Sequence, residues 1–326
     1  MAWFDFPLET LKTYNPKEKA PKDFDAFWKQ SLAETAATGG VDAHFVQVAS
    51  PFKLVDCYDV TFRGYMGQPI KGWFVLPADR DEEQLPCLVQ YVGYTGGRGF
   101  LAEHMATPAA GFAVLVMDTR GQGSGWTPGA TPDDAPAGSV GPQVGGVMTR
   151  GIQSRETYYY RRLFIDAARA VEAAAAHPNV DPARIGVTGG SQGGGIALAA
   201  AALAGKKVKI CQPDVPFLCH YRRACTIVDS NPYNEIVQYL KAHRCDAEQV
   251  FNTLAYFDGM NFASRITARC LFSVGLMDNI CPPSTVYAAY NRVKAPKDIM
   301  IYDFNNHEGG GPLHTLRRLE HAAKYL

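Results

Sequence analysis

The sequence predicts an α/β fold with a mostly parallel central sheet and helices on both of its faces. Six short runs are apolar at nearly every position, which is typical of strands buried on both sides. Helical patterns lie between most of these runs, and such alternation favours parallel strands joined by crossover helices. The predicted strands are residues 86–92, 113–117, 185–188, 208–211, 269–275 and 299–302. The predicted helices are residues 163–176, 196–203, 283–293 and 314–326.

The chain before these strands is expected to form an N-terminal extension, residues 1–40, followed by antiparallel strands. Residues 21–32 place Phe24, Phe27, Trp28 and Leu32 at helical spacing, with a proline near the start. Residues 45–74 alternate apolar and polar side chains around a turn at residues 64–67, which predicts two or three antiparallel strands.

Two segments depart from the simple strand–helix alternation. Residues 122–157 are rich in Gly, Pro, Thr and Ser, and we expect a long ordered loop there. Residues 216–262 carry aromatic and apolar residues in helical patterns between two predicted strands. We expect a helical insertion over the strand ends, where a substrate lid belongs. The whole chain, residues 1–326, is expected to be a single domain with this lid and the N-terminal extension.

Composition argues against several classes of partner. The 326 residues are 47% hydrophobic and 20% charged, and the 32 basic residues balance the 32 acidic ones. No basic surface is therefore implied, so nucleic acid and anionic membranes are not expected partners. No apolar run reaches transmembrane length. The N-terminus lacks the basic region of a secretory signal, which favours a cytoplasmic protein, although a mature secreted form would look the same.

The eight cysteines do not form a metal or disulfide pattern that the sequence can define. None occurs as Cys-x-x-Cys, and none pairs with histidine at the spacing of a zinc finger. Most lie in apolar stretches and are expected to be buried, reduced thiols. We expect no metal and no cofactor.

The segment 184–195 carries the strongest chemical signal. A β-branched run ends in Gly-Gly-Ser-Gln-Gly, with Ser191 at the centre, and an alanine-rich helical stretch follows. A serine on a sharp strand-to-helix turn can be exposed as a nucleophile, and glycine is needed on both sides because the backbone is crowded. A phosphate-binding loop is a poor alternative, since no Gly-Lys-Ser/Thr follows.

Two further residues follow the later predicted strands at the same edge of the sheet. Asp278 comes after the strand ending at Gly275, and His307 comes after the strand ending near residue 302. In enzymes of the α/β-hydrolase fold the triad follows the chain order Ser, Asp/Glu, His. We therefore expect His307 to accept the proton of Ser191, and Asp278 to fix the tautomer of His307 and stabilise its charged form.

The oxyanion hole of such a site needs two amide donors. One should be the backbone N–H of Gln192, the residue after the nucleophile. The other should come from the loop after an early strand, residues 90–97, where the backbone N–H of Tyr94 is the expected donor. An ordinary glycine-rich turn with two packed tyrosines remains an alternative for that loop.

Three motifs occur together in this chain. They are Asp-Thr-Arg-Gly-Gln-Gly-Ser-Gly-Trp at residues 118–126, Gly-Gly-Ser-Gln-Gly-Gly-Gly at residues 189–195, and His307-Glu308. Their combination resembles the acetyl xylan esterase and cephalosporin C deacetylase family, carbohydrate esterase family seven. Further similarity at residues 157–161, 256–261 and 282–286 extends the resemblance over most of the chain.

The resemblance implies an α/β-hydrolase fold with a Ser191–Asp278–His307 triad and oxyanion amides from Tyr94 and Gln192. It implies that Arg120, Gln122 and Glu308 support the site structurally and do not act chemically. It also implies a cytoplasmic, metal-free hexamer, a trimer of dimers whose active sites face a central cavity. Such an assembly favours small acetylated substrates, such as xylo-oligosaccharides and cephalosporin C, over polymeric xylan.

The preferred hypothesis is a serine esterase that removes acetyl groups through an acetyl-enzyme. A serine peptidase or acyltransferase on the same fold is a second hypothesis. A third is a non-catalytic binding protein of this fold, which would be marked by loss of a triad residue. Ser191, Asp278 and His307 are all present.

Overall fold

The computed structural model describes residues 3–80, 82–135, 138–140 and 145–326. Its strands are β1 (His44–Gln47), β2 (Val55–Arg63), β3 (Pro69–Pro77), β4 (Leu85–Tyr91), β5 (Ala113–Met117), β6 (Asp133–Ala135), β7 (Gly138–Val140), β8 (Val180–Gly190), β9 (Val208–Asp214), β10 (Arg269–Gly275) and β11 (Lys297–Tyr302). Within these ranges, nine strands form one sheet in the order β1-β2-β3-β5-β4-β8-β9-β10-β11.

The six strands from β5 to β11 in this sheet are parallel to one another. They are the six apolar runs of the sequence, so the prediction of a mostly parallel α/β sheet is confirmed. The antiparallel strands β1, β2 and β3 extend the sheet beside β5. Strand β8 begins at Val180, five residues before its predicted start, because its polar first part still pairs with β4 through Leu85.

The helices are α1 (Leu8–Thr13), α2 (Phe24–Ala36), α3 (Ala106–Ala109), α4 (Tyr159–Ala175), α5 (Gln192–Ala204), α6 (Tyr221–Ile227), α7 (Tyr233–Ala242), α8 (Ala247–Leu254), α9 (Gly259–Ala263), α10 (Pro283–Tyr290) and α11 (Gly311–Tyr325). None of the helices in the described part of the chain is both long and apolar enough to cross a membrane.

Helices cover both faces of the sheet. On one face, Val89 of β4 belongs to the large core that includes α4, α5 and α10. On the other face, Leu88 of the same strand packs with Ile210 of β9 and Ala322 of α11. Because successive strand residues point to opposite faces, this alternation explains why the strands are apolar throughout.

The two segments that depart from the strand–helix alternation agree with their predictions to different extents. Four helices, α6 to α9, form between Tyr221 and Ala263, so the helical insertion expected at residues 216–262 ends one residue later. Residues 122–157, expected to be one long loop, contain the hairpin β6–β7 and a turn of 3₁₀ helix at Val147–Thr149. Strands of three residues are too short to show alternation, so the pattern could not predict them. Residues 136, 137 and 141–144 of this segment lie outside the described residues.

The N-terminal extension forms α1 and α2 and is tied to the elements beneath it. The carboxylate of Asp5 accepts hydrogen bonds from the backbone N–H of Ser284 at 2.7 Å and from Arg223 at 2.7 Å. The indole N–H of Trp28 donates to the carbonyl of Tyr256 at 3.0 Å. The extension therefore holds the start of α10 and the inserted helices together.

Candidate active site

Ser191 lies on the sharp turn between β8 and α5. Its backbone has φ 56° and ψ −120°, a conformation that non-glycine residues rarely adopt and that costs about 1–3 kcal/mol. The surrounding backbone maintains it: Ser191 N–H donates to the carbonyl of Asp214 at 2.9 Å, and its carbonyl accepts from Phe217 N–H at 2.9 Å. The serine is thereby held half-buried at the tip of the turn, where it lines a cavity.

The glycines on either side of Ser191 are required by close backbone contacts. A Cβ atom on Gly189 would lie 2.5 Å from the carbonyl carbon of Gly193. A Cβ atom on Gly193 would lie 2.2 Å from the carbonyl oxygen of Tyr91. Both distances are too short for any side chain, which supports the sequence argument for glycine at these positions.

Asp278 and His307, predicted from the loops after β10 and β11, are in direct contact. The Nδ1 atom of His307 lies 2.8 Å from Oδ2 of Asp278. The other carboxylate oxygen, Oδ1, accepts from the backbone N–H of Ile280 at 2.8 Å and of Cys281 at 2.9 Å, and the side chain is fully buried. An ionised carboxylate can only accept, so Nδ1 of His307 carries the proton and Nε2 keeps its free lone pair.

The pKa of His307 is raised above its ordinary value by neighbouring carboxylates. Burial of the ring opposes protonation, but the hydrogen bond to Asp278 and the charges of Asp278, Asp214 and Glu308 outweigh it. Sequence analysis missed Asp214, which ends β9 beside Ser191 and lines the same cavity. Its position at the carboxyl end of a central strand was the available signal.

The cavity at this site has a volume of about 830 Å³. It is lined on the sheet side by Ser191, His307 and Asp214, and the insertion contributes Asn231, Pro232 and Glu235. The helical insertion, expected to be a lid, therefore forms part of the cavity wall.

The two expected oxyanion residues are connected through the side chain of Gln122. Its Oε1 accepts from Thr95 N–H at 2.7 Å, directly after Tyr94. Its Nε2 donates to Oε1 of Gln192 at 2.9 Å and to the hydroxyl of Tyr159 at 3.0 Å. Tyr94 lines the cavity and Gln192 begins α5, so one buried amide bridges both loops.

The side chain of Tyr94 joins this loop to the insertion. Its hydroxyl donates to both carboxylate oxygens of Glu235, at 2.7 and 2.9 Å. The same carboxylate accepts from the backbone N–H groups of Gly146 at 3.1 Å and Met148 at 3.3 Å. Burial and the Glu235 charge raise the pKa of Tyr94, so its hydroxyl stays a donor. Helix α7 is thus attached to the loop that carries one expected oxyanion amide.

Arg120 and Glu308 lie outside the cavity lining and have structural partners. Arg120 is fully buried, and its Nε and Nη2 donate to the two oxygens of Asp166 at 2.5 and 2.8 Å. Glu308 accepts from Asn305 Nδ2 at 2.9 Å and from Asn306 N–H at 3.2 Å, which orders the loop before His307.

Cys281 is a site neighbour that sequence analysis classed only as a buried thiol. The ligand atoms of Asp278, Cys281 and His307 lie within 4.8 Å of one another, a spacing that could hold a metal ion. Burial raises the pKa of the Cys281 thiol, and the charge of Asp278 raises it further, while the Ser191 side chain lowers it. A metal would have to displace that thiol proton and break the Asp278–His307 hydrogen bond. We therefore interpret these residues as an acid–base site and not as a metal site.

The eight cysteines are all free thiols in the structure. Six of them are buried, as expected for small hydrophobic residues, whereas Cys225 is half-buried and Cys245 is exposed. The signal that could have placed Cys281 in the site was its position three residues after Asp278.

Comparisons with known proteins show the family to which this chain belongs. The family profile described as acetyl xylan esterase (AXE1) matches residues 1–325. The acetyl esterase Axe7A of Xylanibacter ruminicola is 29% identical over 93% of this chain, which spans 66% of that relative's length.

Solved structures show the same similarity. An acetyl xylan esterase from Paenibacillus sp. R4 is 40% identical, with a TM-score of 0.87 over 98% of this chain and 100% of that one. Acetyl xylan esterase 1 from Thermoanaerobacterium sp. JW/SL YS485 is 35% identical, with a TM-score of 0.85 over 97% and 99% of the two chains. Dipeptidyl peptidase 4 of Porphyromonas gingivalis, at 18% identity and a TM-score of 0.59, shares the fold alone, and this chain covers 36% of it.

Proposed function

Since this chain belongs to the acetyl xylan esterase family, we propose that it is a serine esterase that removes acetyl groups from hydroxyls of small substrates. The observation that carries the proposal is the joint placement of three groups. Ser191 lines the cavity from a strained turn, and His307, hydrogen-bonded to the buried Asp278, lines the same cavity. This is the arrangement that acyl transfer by a serine requires.

In the acylation step, Nε2 of His307 takes the proton of Ser191 while Oγ of Ser191 bonds to the acetyl carbonyl carbon. The tetrahedral oxyanion is stabilised by backbone N–H groups of Tyr94 and Gln192. The bond between the carbonyl carbon and the sugar oxygen then breaks, and His307 gives its proton to that oxygen. The sugar leaves as an alcohol, and Ser191 carries the acetyl group.

In the deacylation step, water takes the place of the alcohol. His307 removes one proton from the water, whose oxygen bonds to the acetyl carbon, and the second tetrahedral intermediate uses the same donors. The bond to Ser191 then breaks, the proton returns to its Oγ, and acetate leaves. Asp278 stays ionised throughout and stabilises the imidazolium that forms in each step.

The substrate range is the finer part of the proposal. We propose acetylated xylo-oligosaccharides and cephalosporin C as substrates, both of which present an acetyl ester on a compact alcohol. A serine peptidase or acyltransferase is the competing function. No contact of the described residues favours either over ester hydrolysis.

Acetate release tests the proposal directly. We would measure it with acetylated xylo-oligosaccharides and cephalosporin C, beside p-nitrophenyl acetate, butyrate and octanoate, using Ser191→Ala as the control. We expect serine-dependent release from both natural-type esters and a steep fall in activity as the acyl chain lengthens. Activity on nitrophenyl esters alone would contradict the substrate assignment.

Location and assembly complete the proposal. Eight free thiols are expected of a protein kept in a reducing compartment, which supports a cytoplasmic location. The exposed apolar side chains of Leu313 and Leu316 on α11, with Phe304 nearby in sequence, support burial in an oligomer, and we propose the hexamer implied by the family resemblance. Light scattering of the purified protein would test the mass.

A further inference from the structure

We propose that Trp126 is the platform on which the sugar ring of the leaving alcohol stacks, and that Glu103 accepts a hydrogen bond from a hydroxyl of the same ring. This inference rests on the proposed function and specifies the alcohol side of the same site. It concerns recognition of the sugar and adds no step to the chemistry of the ester.

The cavity has room for much more than an acetyl group. Its volume of about 830 Å³ is in the range of pockets that hold a whole drug-sized ligand. The cavity lining includes Ser191 and His307, and it also includes Trp126, Thr127 and Glu103. Because the acetyl group occupies the space beside Ser191, the remaining room is available to the alcohol.

Trp126 is anchored through its indole N–H and stays largely exposed. Its Nε1 donates to the carbonyl of Tyr94 at 2.8 Å. A Cβ atom placed on Gly96 would lie 2.4 Å from Cζ2 and 2.6 Å from Cε2 of the indole. The ring therefore packs closely against the loop. Despite that anchorage, 62% of the Trp126 surface is exposed.

A fixed, open aromatic face suits a pyranose ring. The C–H bonds on one side of a sugar carry partial positive charge, and the face of an aromatic ring is negative. Since the hydrogen bond to Tyr94 already fixes the indole, little conformational entropy is lost when a ligand stacks on it. An exposed tryptophan with no such anchor would not offer the same advantage.

Glu103 supplies a polar partner in the lining of the same cavity. Its Oε2 accepts from the backbone N–H of Phe100 at 2.8 Å, which orients the carboxylate. No residue of the described chain donates to Oε1, so that oxygen can accept from a sugar hydroxyl. An apolar platform with one or two oriented polar groups is the usual composition of a small-molecule site.

The test compares two variants on two esters. Trp126→Ala removes the ring and its hydrogen bond to Tyr94, whereas Trp126→Phe removes the hydrogen bond and keeps an aromatic face. Acetylated xylobiose provides a sugar leaving group. Vinyl acetate has none, and it avoids the aromatic leaving group of nitrophenyl esters, which could itself stack on Trp126.

We expect kcat/KM for acetylated xylobiose to be about 10-fold lower in Trp126→Ala than in Trp126→Phe, as expected for loss of one stacked pair. For vinyl acetate the two variants should agree within about twofold, since both lack the same hydrogen bond. Glu103→Ala should lower kcat/KM for the sugar ester alone. Glu103→Gln should lower it too, because its one carbonyl oxygen is taken by Phe100 N–H and its NH2 group cannot accept a hydrogen bond.

Three outcomes would overturn the inference. If kcat/KM of Trp126→Ala fell below that of Trp126→Phe by the same factor for both esters, Trp126 would only position Tyr94. Equal kcat/KM values of Trp126→Ala and Trp126→Phe for the sugar ester would exclude stacking. A change in oligomer mass caused by Trp126→Ala, measured by light scattering, would assign the exposed ring to an interface between copies. Failure of the unmodified protein to release acetate from any sugar ester would instead refute the proposed function, before the variants are compared.

Discussion

The side chain of Gln122 offers a sharp test of how the oxyanion donors are held. Its Oε1 accepts from Thr95 N–H, and Nε1 of Trp126 donates to the carbonyl of Tyr94, so the peptide group between Tyr94 and Thr95 is held from both sides. Thr95 has a positive φ of 61°, which a β-branched residue keeps only under constraint. We predict that Gln122→Ala releases this peptide group and displaces the adjoining N–H of Tyr94.

The expected magnitude follows from these contacts. Complete loss of one oxyanion donor costs about 100- to 1000-fold in kcat, and a displaced donor that is still present should cost about 10- to 100-fold. The half-buried N–H of Thr95 and the buried side chain of Gln192 each lose a partner, and the loss of a partner costs a buried group about 1–3 kcal/mol. In a chain of this length each kcal/mol lowers Tm by about 1.5 °C, so the variant remains folded during the assay.

The assay would measure kcat and KM for vinyl acetate, with Tm recorded on the same samples. Tyr159→Phe is the matched control, because it removes the hydroxyl on the other side of Gln122 and leaves Thr95 bonded. We expect the control to lose stability with kcat nearly unchanged. If Gln122→Ala also keeps kcat within twofold while its Tm falls, the amide stabilises the fold without positioning the donor, and the argument is wrong.

Three further predictions concern the triad and its support. Ser191→Ala should lower kcat by about 10⁴- to 10⁶-fold, and mass spectrometry should find no acetyl-enzyme; survival of more than a tenth of the activity would exclude this nucleophile. Because the pKa of His307 is raised and only neutral His307 accepts a proton, kcat/KM should fall as pH drops through a value above the ordinary 6.5. Asp278→Asn should shift this acidic limb of the pH profile to lower pH, and a limb that does not move would contradict the assignment of His307 and Asp278. Arg120→Met leaves Asp166 buried without its cation and should cost about 3–5 kcal/mol in urea unfolding, whereas a loss under 1 kcal/mol would show that Asp166 finds another partner.

The parts of the fold that could be predicted are those with a local cause. The six parallel strands are apolar on both faces because helices cover both faces of the sheet. Each strand therefore shows this pattern in its own residues. The hairpin β6–β7 was missed because three residues carry too little periodicity. The early start of β8 was missed because pairing with β4 continues through a polar stretch.

The residues of the candidate site also differ in whether a local sequence pattern indicates them. Ser191 could be identified because a strained turn needs glycine at close positions, and glycines are visible in the sequence. Asp278 and His307 could be identified because parallel strands end at one edge, so the residues after them converge. Asp214 and Cys281 had only weak signals, the end of β9 and a position three residues after Asp278. Glu235 could not be identified in this way, since it acts through Tyr94, a partner distant in the chain.

The sequence by itself determined the parallel strands, the turn that carries Ser191 and the positions of Asp278 and His307 after the later strands. Backbone sterics and burial act on neighbouring residues and so leave a pattern that can be seen locally. Only the tertiary structure decided that Glu235 of α7 holds Tyr94 and that Trp126 stands open in the cavity. Contacts across 141 or 32 positions depend on how the insertion and the loops pack, and local patterns carry no record of that packing.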